Sequence, residues 1–337
     1  MQRMFLIFLL MVANLSAQMV ISRFIIEQDG QYGFMDRTGA VVIHPQFEAV
    51  SDFAEGLARV KLNGKYGFIN LAGERVIEPQ FTNVATFSDS LAAFEQNGKW
   101  GYIDRSGRVV IAPVYGQALP FQEGLAAVQR VDRLLFWDVN IGFGFINQQD
   151  EFVIKPDFVE ARSFAEGWAP VKKKKIFLII PLKEIWQYIN REGKYLPFES
   201  SQGISPFIEG LGRVQINGRI GFVDKTGALK IPAQFLAANN FSEGLAAAKL
   251  DKLWGFINPA GEFVIEEDYE YAGDFNEGLA PVCQDKKWGY IDKSGKIVIP
   301  FQFDLAKKYH DGLAQVSLNQ NWGYIDKEGN FIWQSKK

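Results

Sequence analysis

Eight acidic residues recur at one position, the turn before a short apolar strand that usually reads Gly-Leu-Ala: Glu55, Asp89, Glu123, Glu166, Glu209, Glu243, Glu277 and Asp311. Such a ladder offers the oxygens that a divalent cation takes, but calcium wants roughly six to eight of them. One carboxylate in each stretch of about 34 residues is too sparse for that. The preferred reading is a turn carboxylate accepting backbone N–H groups beside glycine. A second ladder, at 36, 70, 104, 147, 190, 224, 258, 292 and 326, exchanges Asp and Asn freely. That exchange suits a turn acceptor and not a catalyst or a metal site that requires charge.

Little else in the chain carries chemistry. The two histidines, His44 and His310, stand at non-equivalent places, and Cys283 is the single cysteine, so neither a zinc site nor a Ser/His/Asp arrangement is suggested. A carboxylate pair for glycoside chemistry is conceivable among 39 acidic residues, but its separation is not legible in sequence. A glycoside-acting enzyme is therefore the weakest of three functional readings, and no catalytic residue, metal ligand or cofactor is assigned. Tryptophans 100, 186, 254, 288 and 322 would form a stacking platform for sugars or peptides if exposed. A packing ladder is preferred, because an outward ring would not need the glycine that follows it.

That glycine, or its counterpart, falls at 33, 67, 101, 144, 187, 221, 255, 289 and 323, in steps of 34 residues except for two of 43. A fixed period of this size marks a stacked array whose units cannot bury their apolar faces alone. In the unit from Leu91 to Tyr115, strands are predicted at Leu91–Glu95, Trp100–Asp104 and Arg108–Ala112. Asn97-Gly98 makes the hairpin turn between the first two, and Asp104-Arg105-Ser106-Gly107 the turn between the last two. The connector that follows carries two aromatic anchors, Tyr115 and Phe121, with equivalents such as Phe47 and Phe53 or Tyr269 and Phe275, expected to plug the core. Glycine within a strand implies a close approach; the expected occupant is an aromatic ring of the neighbouring unit.

Residues 1–17 differ from the rest: a charge at Arg3, an apolar run from Met4 to Ala13, and small residues leading to Ala17. This is the pattern of a cleaved secretory signal, and the run is shorter than the roughly 20 residues of a spanning helix. The expectation is an exported protein, periplasmic, cell-surface or secreted, with no permanent membrane span. One cysteine allows no internal disulfide, so stability must come from packing. A net charge of −3 with interspersed signs gives no footprint for nucleic acid.

Residues 18–337 then hold nine whole three-strand units, two with lengthened hairpins. Because the array opens on a first strand and ends on a third, the expected fold is all-β, an elongated twisted superhelix, with a closed propeller-like ring as the alternative. The segments KWGYID, KSGKIVI and EGLAPV resemble the bacterial WG-repeat, or KWG-repeat, proteins over about residues 24–333. The resemblance implies a β-rich bacterial repeat protein, often exported, with no established general activity and no catalytic residues. Departures are Gln187 in the glycine slot, the unit 194–206 that lacks the usual Val-Ile-x-Pro strand, and Tyr32, Tyr66, Phe143 and Ile220 in the tryptophan slot.

The two long steps come from insertions in consecutive units, 129–141 and 172–184. They should project side by side, and insertions in repeat proteins often mark the functional face. One carries Leu134, Leu135, Phe136 and Trp137; the other carries Lys172, Lys173, Lys174 and Lys175 followed by Ile176, Phe177 and Leu178. These residues are the candidate partner-binding set. The sequence therefore points to an exported, non-enzymatic scaffold for a protein partner, with envelope polysaccharide or peptidoglycan as the alternative ligand.

Overall fold

The computed structural model describes residues 22–134, 137–177 and 180–335, and every regular element among them is a β-strand. The predicted leader, residues 1–17, lies outside the described residues. The strands form nine antiparallel sheets in chain order, at 24–47, 49–81, 83–115, 117–158, 160–200, 204–235, 237–269, 271–303 and 305–334. These are blades 1 to 9.

Blade 3 shows why the repeat folds as it does. Leu91–Gln96 pairs with Lys99–Asp104 through the Asn97-Gly98 turn, where both residues take positive φ, 53° and 76°. That is the handedness a two-residue hairpin needs. The Asp/Asn ladder then behaves as one motif. In each of the nine units its Oδ1 accepts the N–H groups two and four residues on, as from Asp104 to Ser106 and Arg108 or from Asn258 to Ala260 and Glu262. The turn itself uses only an acceptor oxygen, so Asp and Asn interchange, and where Asn stands its amide can also donate to the acid four residues on, as from Asn70 to Glu74.

The third strand, Val109–Tyr115, pairs with Lys99–Asp104 across an irregularity: Trp100 faces Tyr115 but Tyr102 faces Ile111. Gly101 lies opposite the extra residues. A Cβ there would sit 2.7 Å from Pro113 N, and the same outer-strand backbone closes on Gly33, Gly67, Gly144, Gly221, Gly255 and Gly289. The close approach is thus the bulge of the same blade, and not an aromatic ring of the neighbour. In blade 5 the register explains the exception, since Gln187 pairs directly with Glu199 and the irregularity begins one residue later. The unit 194–206 still supplies a third strand, Tyr195–Ser200.

Eight of the nine units add one element to the three predicted. In blades 2–9 the connector contributes a further strand, two residues long except in blade 6; Ala49 and Val50, for example, pair with Lys61 and Val60. Two residues carry no readable alternation, so this strand left no signal in sequence.

The blades pack through the anchors. The aromatic one residue after the glycine slot meets the second anchor of the next connector edge-on or tilted, as in Phe34–Phe53 (5.0 Å between centroids), Tyr102–Phe121 (4.7 Å) and Phe256–Phe275 (4.8 Å). Such contacts between Phe, Tyr and small Ala or Val side chains make one apolar cluster per blade junction.

The ninth junction overturns the elongated superhelix. Blade 9 packs on blade 1, where Phe24, Ile26 and Met35 share a core with Leu313 and Tyr324. Phe24 and Tyr324 lie 5.5 Å apart edge-to-face, and the Tyr324 hydroxyl donates to Ile25 O at 2.9 Å. Gly39 is capped by Ile332 as Gly73 is by Ile43 and Gly107 by Ile77. The structure is a closed nine-bladed β-propeller. The period sets the contact made at each step, but whether equal steps return to their start depends on a pitch that sequence does not encode. Nine steps here complete the turn, and side-chain packing seals it without a shared strand.

Because strands alternate in direction, turns fall on two faces. The acidic turns and the Asp/Asn turns share one face; the hairpin turns, including both lengthened ones, lie on the other.

Candidate functional site

The hairpin face is level except at blades 4 and 5. There Ala126–Leu134 pairs with Trp137–Ile146, and Trp168–Phe177 with Ile180–Asn190, against six-residue strands in blade 3. The ladders continue through Arg133↔Asp138 to Leu134↔Trp137 in one and through Ile176↔Pro181 to Phe177↔Ile180 in the other. Both hairpins shift register on the way, between Arg130 and Val131 and between Lys175 and Ile176. The first irregularity sits by Gly142, whose φ of 138° places its backbone against Phe158 O.

Of the sequence-predicted residues, the structure brings Leu134 and Trp137 together as a cross-strand pair beside the first turn. It places Lys172 to Lys175, Ile176 and Phe177 in order along the other hairpin. Leu135, Phe136 and Leu178 lie outside the described residues. Lys172 and Lys173 have local partners. Lys172 Nζ binds Glu160 at 2.9 Å and Glu184 at 2.8 Å; Lys173 Nζ binds Asp157 at 2.6 Å and approaches Tyr195. Hydrogen bonds to Glu184 and Glu160 raise the Lys172 pKa, and one to Asp157 raises that of Lys173.

An open cavity of about 360 Å³ lies at the base of the two hairpins, with Gln129, Asn140 and Ile141 from blade 4 facing Asp157, Phe158 and Lys173. Of these lining residues sequence reasoning named Lys173 and missed the others. Their signal was positional, since Gln129 and Asn140 flank the start and end of an insertion. No group of three or more His, Cys, Asp or Glu able to hold a metal occurs among the described residues. The arrangement offers shape, amides and a fixed ion pair. It offers no nucleophile.

The opposite face is built differently. Each acidic turn holds its carboxylate residue at φ between 49° and 55° beside the next turn. Glu243 accepts the N–H groups of Glu277 at 2.6 Å and Gly278 at 3.0 Å; Glu209 does the same for Glu243 and Gly244. Glu55, Asp89, Glu123, Glu166 and Glu277 each reach the next blade in this way. Lys293 lies 3.2 Å from Glu243, and Lys225, Lys327, Arg105 and Arg191 take equivalent places. Burial raises the Glu243 pKa, but the Gly278 N–H, the Lys293 ammonium and the Glu277 N–H outweigh it and leave the carboxyl below its ordinary value. The turn-acceptor reading holds, with the acceptor serving its neighbour.

The motif tryptophans do not form an exposed row. Trp186 is buried and the other four are half-buried. Arg162, Lys249 and Lys307 lie over the rings of Trp186, Trp254 and Trp322, and Tyr271 stacks on Trp288.

A family model described as WG containing repeat matches residues 32–66, 66–100, 100–130, 143–175, 220–254, 254–288 and 288–322. No curated protein matches the chain. The crystal structure of a eukaryotic initiation factor is similar over 94% of this chain and 95% of its own, with a TM-score of 0.58 at 9% identity. BamB from Moraxella catarrhalis aligns over 94% and 97% with a TM-score of 0.43 at 12% identity. AztD from Citrobacter koseri aligns over 85% and 93% with a TM-score of 0.41 at 12% identity. At these identities likeness concerns the fold alone, and the first of the three supports it over the whole ring.

Proposed function

We propose, from the premise that the chain belongs to the WG-containing repeat family, that it is an exported, non-enzymatic scaffold that binds a protein partner on its hairpin face. The observation that carries this reading is the pair of lengthened hairpins in consecutive blades. They are where the ring departs most from the length of its own repeat, with strands of nine to eleven residues against six in blade 3. Loops and insertions mounted on a rigid framework are where binding residues concentrate. Leu134, Trp137, Ile176 and Phe177 supply the apolar contact, flanked by Lys174 and Lys175, with Leu135, Phe136 and Leu178 completing the set.

The charge of Lys172 and Lys173 is neutralised locally by Glu160, Glu184 and Asp157. An acidic partner surface would be steered by the lysine run as a whole. The net charge of −3 argues against nucleic acid as the partner. Burial of Trp186, half-burial of the other four and the side chains of Arg162, Lys249, Lys307 and Tyr271 lying over four of the rings argue against a continuous polysaccharide platform along that row.

The test replaces both hairpins by Asn-Gly turns at the length of blade 3. A partner crosslinked through residue 137 or 177 in the full protein, then purified, should bind the full protein and lose binding to the trimmed one while the trimmed ring melts cooperatively. Unchanged affinity of the trimmed protein for that partner would remove the hairpins from the function.

A further inference from the structure

The junction between blades 9 and 1 carries a second cavity, on the hairpin face, of about 410 Å³. It arises from a local difference in construction. In blades 2 to 9 the connector strand covers the free edge of the blade's next strand, as Ala49 covers Lys61. Blade 1 has three strands, and the position 34 residues before Lys61 is Glu27, on an edge that no described strand covers. The counterparts of Ala49 and Val50, residues 15 and 16, lie outside the described residues, and among the described ones side chains line the space.

Those side chains are of two kinds. Tyr32, Trp322 and Trp333 present three aromatic rings, all half-buried. Gln315, Asn321 and Glu27 bring amides and a carboxylate whose side chains make no hydrogen bond to any described residue. A single cation, Lys307, lies over the Trp322 ring at 5.8 Å, while Glu27 and Asp29 make the lining net acidic.

We propose that this seam cleft binds a neutral oligosaccharide. A sugar ring has an apolar C–H face, which packs on the electron-rich face of an aromatic ring. Its rim of hydroxyls both donates and accepts, which amides and a carboxylate satisfy together. A purely apolar ligand would strand those polar groups away from water, and an anionic ligand would face Glu27 and Asp29. The volume lies in the range of about 300–1,000 Å³ usual for small-ligand sites. The cleft lies away from blades 4 and 5, so the site is independent of the partner surface proposed above.

The test uses the full chain and intrinsic tryptophan fluorescence with maltohexaose, cellohexaose and chitohexaose, and a sialylated oligosaccharide as the charged control. At least one neutral hexasaccharide should give saturable change with a dissociation constant of about 1 mM or tighter. Trp322→Ala should weaken it about tenfold or more, and Asn321→Ala, which leaves the aromatic packing in place, should weaken it measurably without lowering the melting temperature. The hairpin-trimmed protein should bind the sugar unchanged, which separates this site from the partner surface. Absence of saturable change with all three neutral sugars, preference for the sialylated one, or binding that survives both substitutions would overturn the proposal.

Discussion

The Ser22 hydroxyl donates to the carboxylate of Asp311 at 2.8 Å, across 289 positions of sequence. Asp311 is the acidic turn of blade 9, and its counterparts accept backbone N–H groups of the following blade. Counting by 34 from Gly56, Ser22 holds the position of a turn glycine. The ladder is therefore continued across the seam by the Ser22 hydroxyl, and the Arg37 guanidinium rests on Gly312 beside it.

Closure makes Phe24 a core residue. It is 5% exposed and packs on Tyr324 of blade 9. Phe24→Ala should cost about 3–5 kcal/mol, read as a fall in the urea midpoint. An array with separated ends would leave residue 24 near solvent, where the change costs less than about 0.5 kcal/mol.

Gly255→Val should destabilise the ring by about 1–3 kcal/mol or more, because a Cβ there already meets Glu266 C at 2.8 Å and Ile265 O closer still. Gln187→Gly, in the blade with a plain pairing at that position, should cost far less. Thermal melts of the two variants decide the matter, and equal losses would contradict the bulge as the reason for the glycine.

Glu243→Ala removes the acceptor of two N–H groups of blade 8, a loss of about 1–2 kcal/mol after allowance for partial exposure. Lys293→Ala removes only the exposed ion-pair partner and should cost about 0–1 kcal/mol. Hydrogen exchange at Gly278 should rise in the first variant and stay near its original rate in the second.

Acid should weaken the ring through its turns. Hydrogen bonds from the hydroxyls of Thr38, Ser106, Thr226 and Ser294 are the leading cause that holds the carboxyls of Asp36, Asp104, Asp224 and Asp292 below their ordinary value. A folded pKa below the unfolded one contributes stability that is present above the unfolded value, about 3.9, and is lost as pH falls through the folded value. Replacing all four by Asn keeps the acceptor oxygen and removes the titration. The urea midpoint of that variant should change less between about pH 6 and pH 2 than that of the parent.

Cys283 is 2% exposed, and burial, with Glu270 beside it, pushes its thiol pKa up. Reaction with a thiol reagent in native buffer should be slow and should follow unfolding of blade 8 as urea is raised. Rapid modification of the native protein would place that thiol in solvent.

What the chain announces and what it conceals divide along physical lines. The Asp/Asn turns, the hairpin turns and the aromatic anchors were legible because each rests on bonds or contacts between residues near in sequence, such as Asp104 with Ser106 or Tyr102 with Phe121. Gly101 was recognised as a close approach, but its neighbour was misassigned because a bulge is a property of backbone register, and Ala112 and Pro113 carry no side-chain mark of it. The seam was illegible for a different reason. Phe24 and Tyr324 look like any other repeat aromatics, and only the summed rotation of the intervening blades brings them together. Of the candidate site, the hairpins showed themselves as a change of period, whereas the cleft beside Trp322 and Tyr32 depends on that same hidden adjacency.

The acidic-turn contact also has a direction. Every carboxylate reaches forward to the next blade and none reaches back, so the propeller is a head-to-tail assembly enclosed in one polypeptide. Assemblies of that kind are finite only while their rotation closes. A chain missing a blade keeps one unsatisfied head and one unsatisfied tail at an angle that no longer meets, and its nearest complementary surface belongs to another copy. Deletion of a repeat should therefore appear less as local unfolding than as polymerisation, with the fibre axis following the path the ring would have taken.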